Sequence, residues 1–171
     1  MKELLSEEKY NFISDAEKAF IVAFDAAMED AGYATSGIQP YVCLGKYKIE
    51  YSKADLKTKR FVARIYFRDS GIALRLYFTD IDRHSAITES ATPFIKDPFI
   101  NEVGRCKHCD QQGGGIGKKG RCSFKKSYTL DQILHEKCAG ENYYFSEYSL
   151  ESIPQYMALL GTFYPPKRSR A

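Results

Sequence analysis

Tryptophan is absent from this 171-residue chain, and histidine occurs only three times. The aromatic surface therefore rests on 13 Tyr and 11 Phe, and imidazole chemistry has only His84, His108 and His135 to draw on. Long hydrophobic runs are missing as well. The most apolar early stretch, Ala19 to Ala27, is broken by Asp25, which excludes a membrane-spanning helix there. The opening MKELLSEEKYNF scatters its charges and has no apolar core, so no signal peptide is expected and the protein is expected to be cytoplasmic. In that compartment thiols stay reduced. The five cysteines then read as ligands or core residues before they read as disulfides.

What is present describes a globular α+β protein. Hydrophobic residues make up 44% and charged residues 27%, a balance outside the disordered range. The charge is uneven. Residues 1–102 carry 14 Lys and Arg against 16 Asp and Glu, whereas residues 103–171 carry 11 against 6. The half that holds four of the cysteines is thus the basic half, which points to a polyanionic partner such as nucleic acid.

Local signals divide the chain. Ser14-Asp15-Ala16-Glu17 fits a capping box. Behind it Ala16, Ala19, Phe20, Ala23, Phe24, Ala27, Met28 and Ala31 recur at helical spacing, and Gly32 stands where a helix should stop. Residues 3–12 read as a short lead-in helix. In PYVCLGKYKIEYSK, Tyr41, Cys43, Tyr47, Ile49 and Tyr51 alternate with polar residues, so Cys43 is expected as a buried strand thiol. RFVARIYF and IALRLYFT flank Arg68-Asp69-Ser70-Gly71 and read as a hairpin. Pro93 and Pro98 mark an expected loop. ENYYFSEYS reads as a further strand. A final helix is expected after Ser152 as N-cap, with Pro154 in its first turn. The expected organisation is a body over 1–102, with an antiparallel meander of three strands packed on the N-terminal amphipathic helix. A zinc knuckle with a β-hairpin follows over 103–140, and a strand and helix over 141–171 complete the same domain.

Several motifs carry less than they suggest. Asp80-Ile81-Asp82 follows a strand as a phosphatase Asp-x-Asp does, but Arg83 and His84 replace the small residue and threonine expected next. Capping of the following short helix is the simpler role. Gly115-Ile116-Gly117-Lys118-Lys119-Gly120 matches G-x-G-x-x-G. That pattern binds phosphate only between a strand and a helix N-terminus, and here cysteines flank it. A Walker loop fails because Lys119 follows Gly117-Lys118 and Gln112 stands at the first glycine position.

The stretch GRCKHCDQQGGGIGKKGRC makes a better metal clasp. Cys106, Cys109, Cys122 and Cys138 give C-x2-C-x12-C-x15-C, and four thiolates form a closed tetrahedral zinc site. His135 or His108 is the alternative ligand in a Cys3His set. A chain reversal near Asp131-Gln132 brings Cys138 back towards Cys122, about three residues out of register. Zinc is favoured because it accepts thiolate and imidazole and needs no redox partner, with iron–sulfur as a lesser alternative and an ion-free or redox-active cysteine set as the competing reading. A catalytic site would need an open position and a base such as Glu136; four thiolates argue for a structural ion.

The segments GKYKIEY and RFVARIYFRDSGIALRLYF, followed by a cysteine insert, resemble small bacterial α+β domains of unknown function. The resemblance covers about the first hundred residues and implies a fold, not a site. Two function classes follow from the residues. One is a zinc-stabilised, non-catalytic binding or regulatory protein presenting Lys118, Lys119, Arg121, Lys125 and Lys126 to a polyanion, with Tyr128 available for stacking. The other is a small-molecule sensor or enzyme that uses a tyrosine-rich pocket on the sheet face opposite the helix. No nucleophile–base pair stands out.

Overall fold

A computed structural model describes residues 1–53, 60–101, 125–137 and 141–165. The chain folds as two compact units, Met1–Leu76 with Phe145–Ala171, and Tyr77–Tyr144. The architecture is α+β, with an antiparallel sheet of five strands in the order β1-β2-β3-β4-β7 and a separate two-stranded sheet β5-β6. No helix among the described residues is long and apolar enough to cross a membrane.

The first unit is built on α2 (Asp15–Asp30), which follows the short helix α1 (Lys2–Leu5). The expected capping box is formed. Ser14 Oγ accepts from the Glu17 amide, while Glu17 Oε2 accepts from the Ser14 amide at 3.1 Å and its hydroxyl at 2.7 Å. At the other end the Gly32 amide donates to Glu29 and the Tyr33 amide to Met28, which closes the last turn. The buried face is rotated from the alanine-rich stripe. Phe20, Ile21, Phe24, Asp25 and Met28 are buried, whereas Ala16 and Ala19 are exposed. Burying the large side chains removes more apolar area from water than burying alanines, so they fix the rotation. The displaced Ala19 and Ala23, with Val22, Ala26, Leu5 and Leu150, line an open groove of about 590 Å³.

Four strands of this unit form a meander: β1 (Ala34–Pro40), β2 (Tyr47–Lys53), β3 (Arg60–Arg68) and β4 (Gly71–Tyr77). The β3–β4 hairpin is as the alternation predicts, with Ile65 opposite Leu74 and Arg68 opposite Gly71. Tyr51, Ile49, Ile65 and Leu74 are buried on the α2 side. Phe24 stacks edge-on against Tyr51 at 5.5 Å and against Tyr156 at 6.4 Å, joining helix, sheet and α5 (Ile153–Phe163).

Two expectations are corrected here. The run PYVCLGKYKIEYSK is not one strand. Residues 41–46 bend, because the Tyr41 amide donates to Lys46 O and the Lys46 amide to Phe67 O, and a side chain at Gly45 would strike that Phe67 oxygen. Cys43 lies in this bend and is exposed, so it is no core thiol. Strand β1 escapes the alternation rule since ATSGIQP is polar and carries Gly and Pro; its register with β2 shifts between Thr35 and Ile38, a bulge. Ser152 stands at the N-cap position of α5 as expected, but its side chain makes no cap bond. It is itself helical, with its hydroxyl donating to Ser149 O, and a 3-10 turn over Leu150–Ser152 leads into the helix.

The second unit contains α3 (Ser85–Glu89), α4 (Pro93–Ile100), β5 (Lys126–Leu130) and β6 (Ile133–Lys137), and β7 (Asn142–Phe145) begins in it. The segment with Pro93 and Pro98, expected as a loop, is the helix α4. Pro93 lies in the first turn, where no amide bond is lost, and Pro98 packs with Ile95 and Phe99 on the buried side. The aromatic centre of the unit is Phe78, Phe99 and Tyr143, with ring centres 4.5–5.8 Å apart.

Candidate functional site

The β5–β6 hairpin is the described part of the expected metal knuckle. Leu130 pairs with Ile133, so the turn is Asp131-Gln132, both left-handed with φ of 48° and 64°. This is the two-residue turn whose twist suits a hairpin. Gln132 holds it at a cost, since a left-handed residue with a Cβ is unfavourable by about 1–2 kcal/mol. Gln132→Gly is therefore expected to stabilise the protein by roughly 0.5–1 kcal/mol, once glycine's own entropy cost is included. Urea unfolding measures this, and an unchanged midpoint would mean that the turn carries no strain.

Polar contacts around the turn and strand β5 fix the hairpin to the rest of its unit. The Thr129 amide donates to Asp82 Oδ1 at 2.6 Å, and the Asp131 amide to Glu89 Oε1 at 3.0 Å. Lys96 pairs with Asp131, and the Tyr128 hydroxyl donates to Phe99 O. Asp82 thus anchors a strand. Asp80 occupies the N-cap position of the 3-10 turn at Ile81–His84 but makes no side-chain cap bond. The Asp-x-Asp pair therefore caps nothing through its side chains, and one of its two carboxylates is engaged by the hairpin backbone.

The predicted site residues separate as follows. Cys106, Cys109, Cys122, Cys138, His108, Lys118, Lys119 and Arg121 lie outside the described residues. His135 sits on β6 across from Tyr128, their rings stacked at 6.1 Å. Among the described residues no group of three or more His, Cys, Asp and Glu could hold a metal ion, so His135 has no ligand set around it there. Glu136 is exposed and pairs with Lys125 at 2.6 Å; Lys126 pairs with Glu141 at 3.4 Å. Tyr128 is corrected from a stacking platform to a core residue. It is 4% exposed, and burial pushes its phenol above the usual range.

Lys137 is a residue that the sequence does not single out. It is buried, its ammonium lies 4.0 Å from the centre of the Tyr143 ring, and it donates to Pro98 O at 3.3 Å. Together with Phe99, Ile100, Asn101, Leu134, His135 and Glu136 it lines a cavity of about 280 Å³. The only sequence signal was its place beside Cys138, which read as part of a ligand step. No protein-family model matches the chain, and neither a curated protein nor a solved structure matches it.

Proposed function

We propose that this is a non-catalytic binding protein whose cysteine-rich segment is closed by a structural zinc ion. Cys106, Cys109, Cys122 and Cys138 would hold the ion, with His135 or His108 as the alternative fourth ligand, and the bound ion would supply a crosslink between the segments that carry them. The observation that supports this reading is where the described chain hands over to the cysteines. Asn101 and Lys137 line the same cavity. Cys138 directly follows Lys137, and Cys106 follows Asn101 by five residues, a reach of at most about 17 Å. Lys125, three residues after Cys122, is bound to Glu136 on the facing strand. The described residues nearest to Cys106, Cys122 and Cys138 therefore lie at one end of one unit, and four deprotonated thiols brought together would need a cation.

The partner in this reading is a polyanion such as nucleic acid. Lys125 and Lys126 are each paired with a carboxylate, but both pairs are about half exposed. Such pairs contribute only about 0.2–1 kcal/mol, so phosphate can replace the carboxylate.

Metal analysis of the purified full chain tests the zinc. About one zinc per chain is expected, lost in Cys106→Ser and in Cys138→Ser together with the melting cooperativity of the second unit. A metal-free wild type that folds fully would reject it. Binding to single- and double-stranded nucleic acid is then expected to weaken steeply with salt, and a flat salt response would remove the polyanion.

A further inference from the structure

The groove beside α2 has a floor of one helix face. Asp15, Lys18, Ala19, Val22, Ala23 and Ala26 supply it, at the spacing of helix neighbours. Lys2 and Leu5 of α1 and the half-exposed Leu150 complete the lining, all within the first unit. The volume of about 590 Å³ lies in the range of small-molecule sites.

The lining is aliphatic. Among the described residues it includes no aromatic ring, although the chain has 13 Tyr and 11 Phe. A planar ring therefore finds no stacking partner there, whereas an aliphatic chain needs only apolar area. The alanines let such a chain lie close to the helix.

Charge gathers at one end of the floor. Asp15 and Lys18 stand at the start of α2, and Val22, Ala23 and Ala26 follow. Lys18 is half-buried, so its stem flanks the groove while its ammonium stays in water. Among the described residues neither Lys2 nor Lys18 has an ion pair, whereas Lys9, Lys46, Lys48 and Lys96 each do. Two lysines against the one carboxylate of Asp15 leave the lining with a positive balance, which complements an anionic head. A concave groove is not complementary to itself, so a second copy does not fill it across a two-fold axis. A flat bilayer surface does not follow its floor either.

We propose that this groove binds a free amphipathic anion, a carboxylate head on a single aliphatic chain. The head pairs with Lys18, with Lys2 as the second cation, and the tail lies along Val22, Ala23 and Ala26. From Lys18 to Ala26 the helix advances about 12 Å, the extended length of roughly ten carbons joined by bonds of about 1.5 Å. The site uses neither the cysteines nor the β5–β6 hairpin, so it stands or falls apart from the zinc and nucleic-acid reading.

The test is an amide NMR titration of the full chain with decanoate below its micelle concentration, beside decyltrimethylammonium, which has the same tail and the opposite charge. Saturable shifts confined to the groove residues are expected, with decanoate bound about three-fold tighter or more. Octanoate, two carbons shorter, is expected to bind about four-fold more weakly, since an open groove covers about half of each methylene. Lys18→Glu is expected to reverse the preference towards the cation, which damage to the fold would not do. Ala23→Leu fills the floor with a good helix former and is expected to weaken decanoate about ten-fold with the folded spectrum retained. Should it fail to fold, Ala26→Leu fills the groove from an exposed position. The proposal is overturned by the absence of saturable shifts with decanoate, by equal or tighter binding of the cation, or by decanoate binding that the groove-filling variant leaves unchanged. Binding to phosphatidylglycerol vesicles alone, or self-association that Ala23→Leu abolishes, would give the groove to a membrane or to a second copy and would overturn it too.

Discussion

Gly71→Ala is expected to destabilise the protein by about 3 kcal/mol, the sum of backbone strain and a lost hydrogen bond. Gly71 opens β4 with φ of 107°, a conformation that residues with a Cβ rarely adopt. A Cβ there would also overlap Glu17 Oε1. That oxygen accepts from the Ile72 amide at 2.8 Å, while the other oxygen of the same carboxylate completes the capping box of α2. One carboxylate thus joins the start of the helix to the start of a strand 55 positions away. Burial works to raise the Glu17 carboxyl, but the Ile72 amide and the Ser14 donors outweigh it and hold the group below its ordinary value. A depressed carboxyl contributes stability above its unfolded value and loses that contribution as pH falls through its folded value. The penalty of Gly71→Ala should therefore shrink in acid. Urea unfolding at neutral and acid pH measures this. In a Glu17→Ala background the overlap is gone, so the same substitution should cost only the backbone strain. An equal cost in both backgrounds would reject the overlap.

Alkaline unfolding is expected to be steep. Tyr33, Tyr51 and Tyr156 are buried at 6%, 0% and 0% exposure, and each donates its hydroxyl inward. Tyr33 donates to Tyr164 O, Tyr51 to Asp25 Oδ1 at 3.1 Å and Tyr156 to Glu147 O at 2.7 Å. Burial pushes the Tyr33 phenol up to about 12. It pushes Tyr51 well above the usual range, and the Asp25 carboxylate beside Tyr51 adds to the shift. Burial also raises Tyr156 strongly. The folded values exceed the unfolded one. Their contribution is therefore complete below about pH 10 and is lost as pH rises towards the folded values. Each tyrosine removes about 1.4 kcal/mol per pH unit in that window, so three together remove about 4 kcal/mol per unit. Tyrosinate absorbance should rise in step with the loss of helical circular dichroism. Gradual ionisation in a still-folded chain would show that these phenols reach solvent. Tyr51→Phe is expected to flatten the alkaline slope by about one third, and to leave Asp25 buried without that donor at a cost of about 1–3 kcal/mol at neutral pH.

The candidate site was legible only in part. The reversal at Asp131-Gln132 and the strands beside it follow from alternation and turn chemistry. Nothing in KKSYTL distinguishes a tyrosine stacked on a partner from one buried against Phe99, because strand alternation gives the face and not the depth. Alternation gives no depth for Lys137 either, and an aromatic ring and a carbonyl make its burial tolerable.

By itself the sequence determined whatever is decided within a few residues. The capping box at Ser14 and Glu17, the stop at Gly32, the hairpin through Gly71 and the α+β class all follow from bonds and steric limits between near neighbours in the chain. Tertiary structure decided the rotation of α2 towards its large side chains, the bend that leaves Cys43 in solvent, the helix through Pro93 and Pro98, and the depth of Tyr128. Each of these is a competition for buried area between segments far apart in sequence. Its outcome depends on which partner is packed there and not on local propensity.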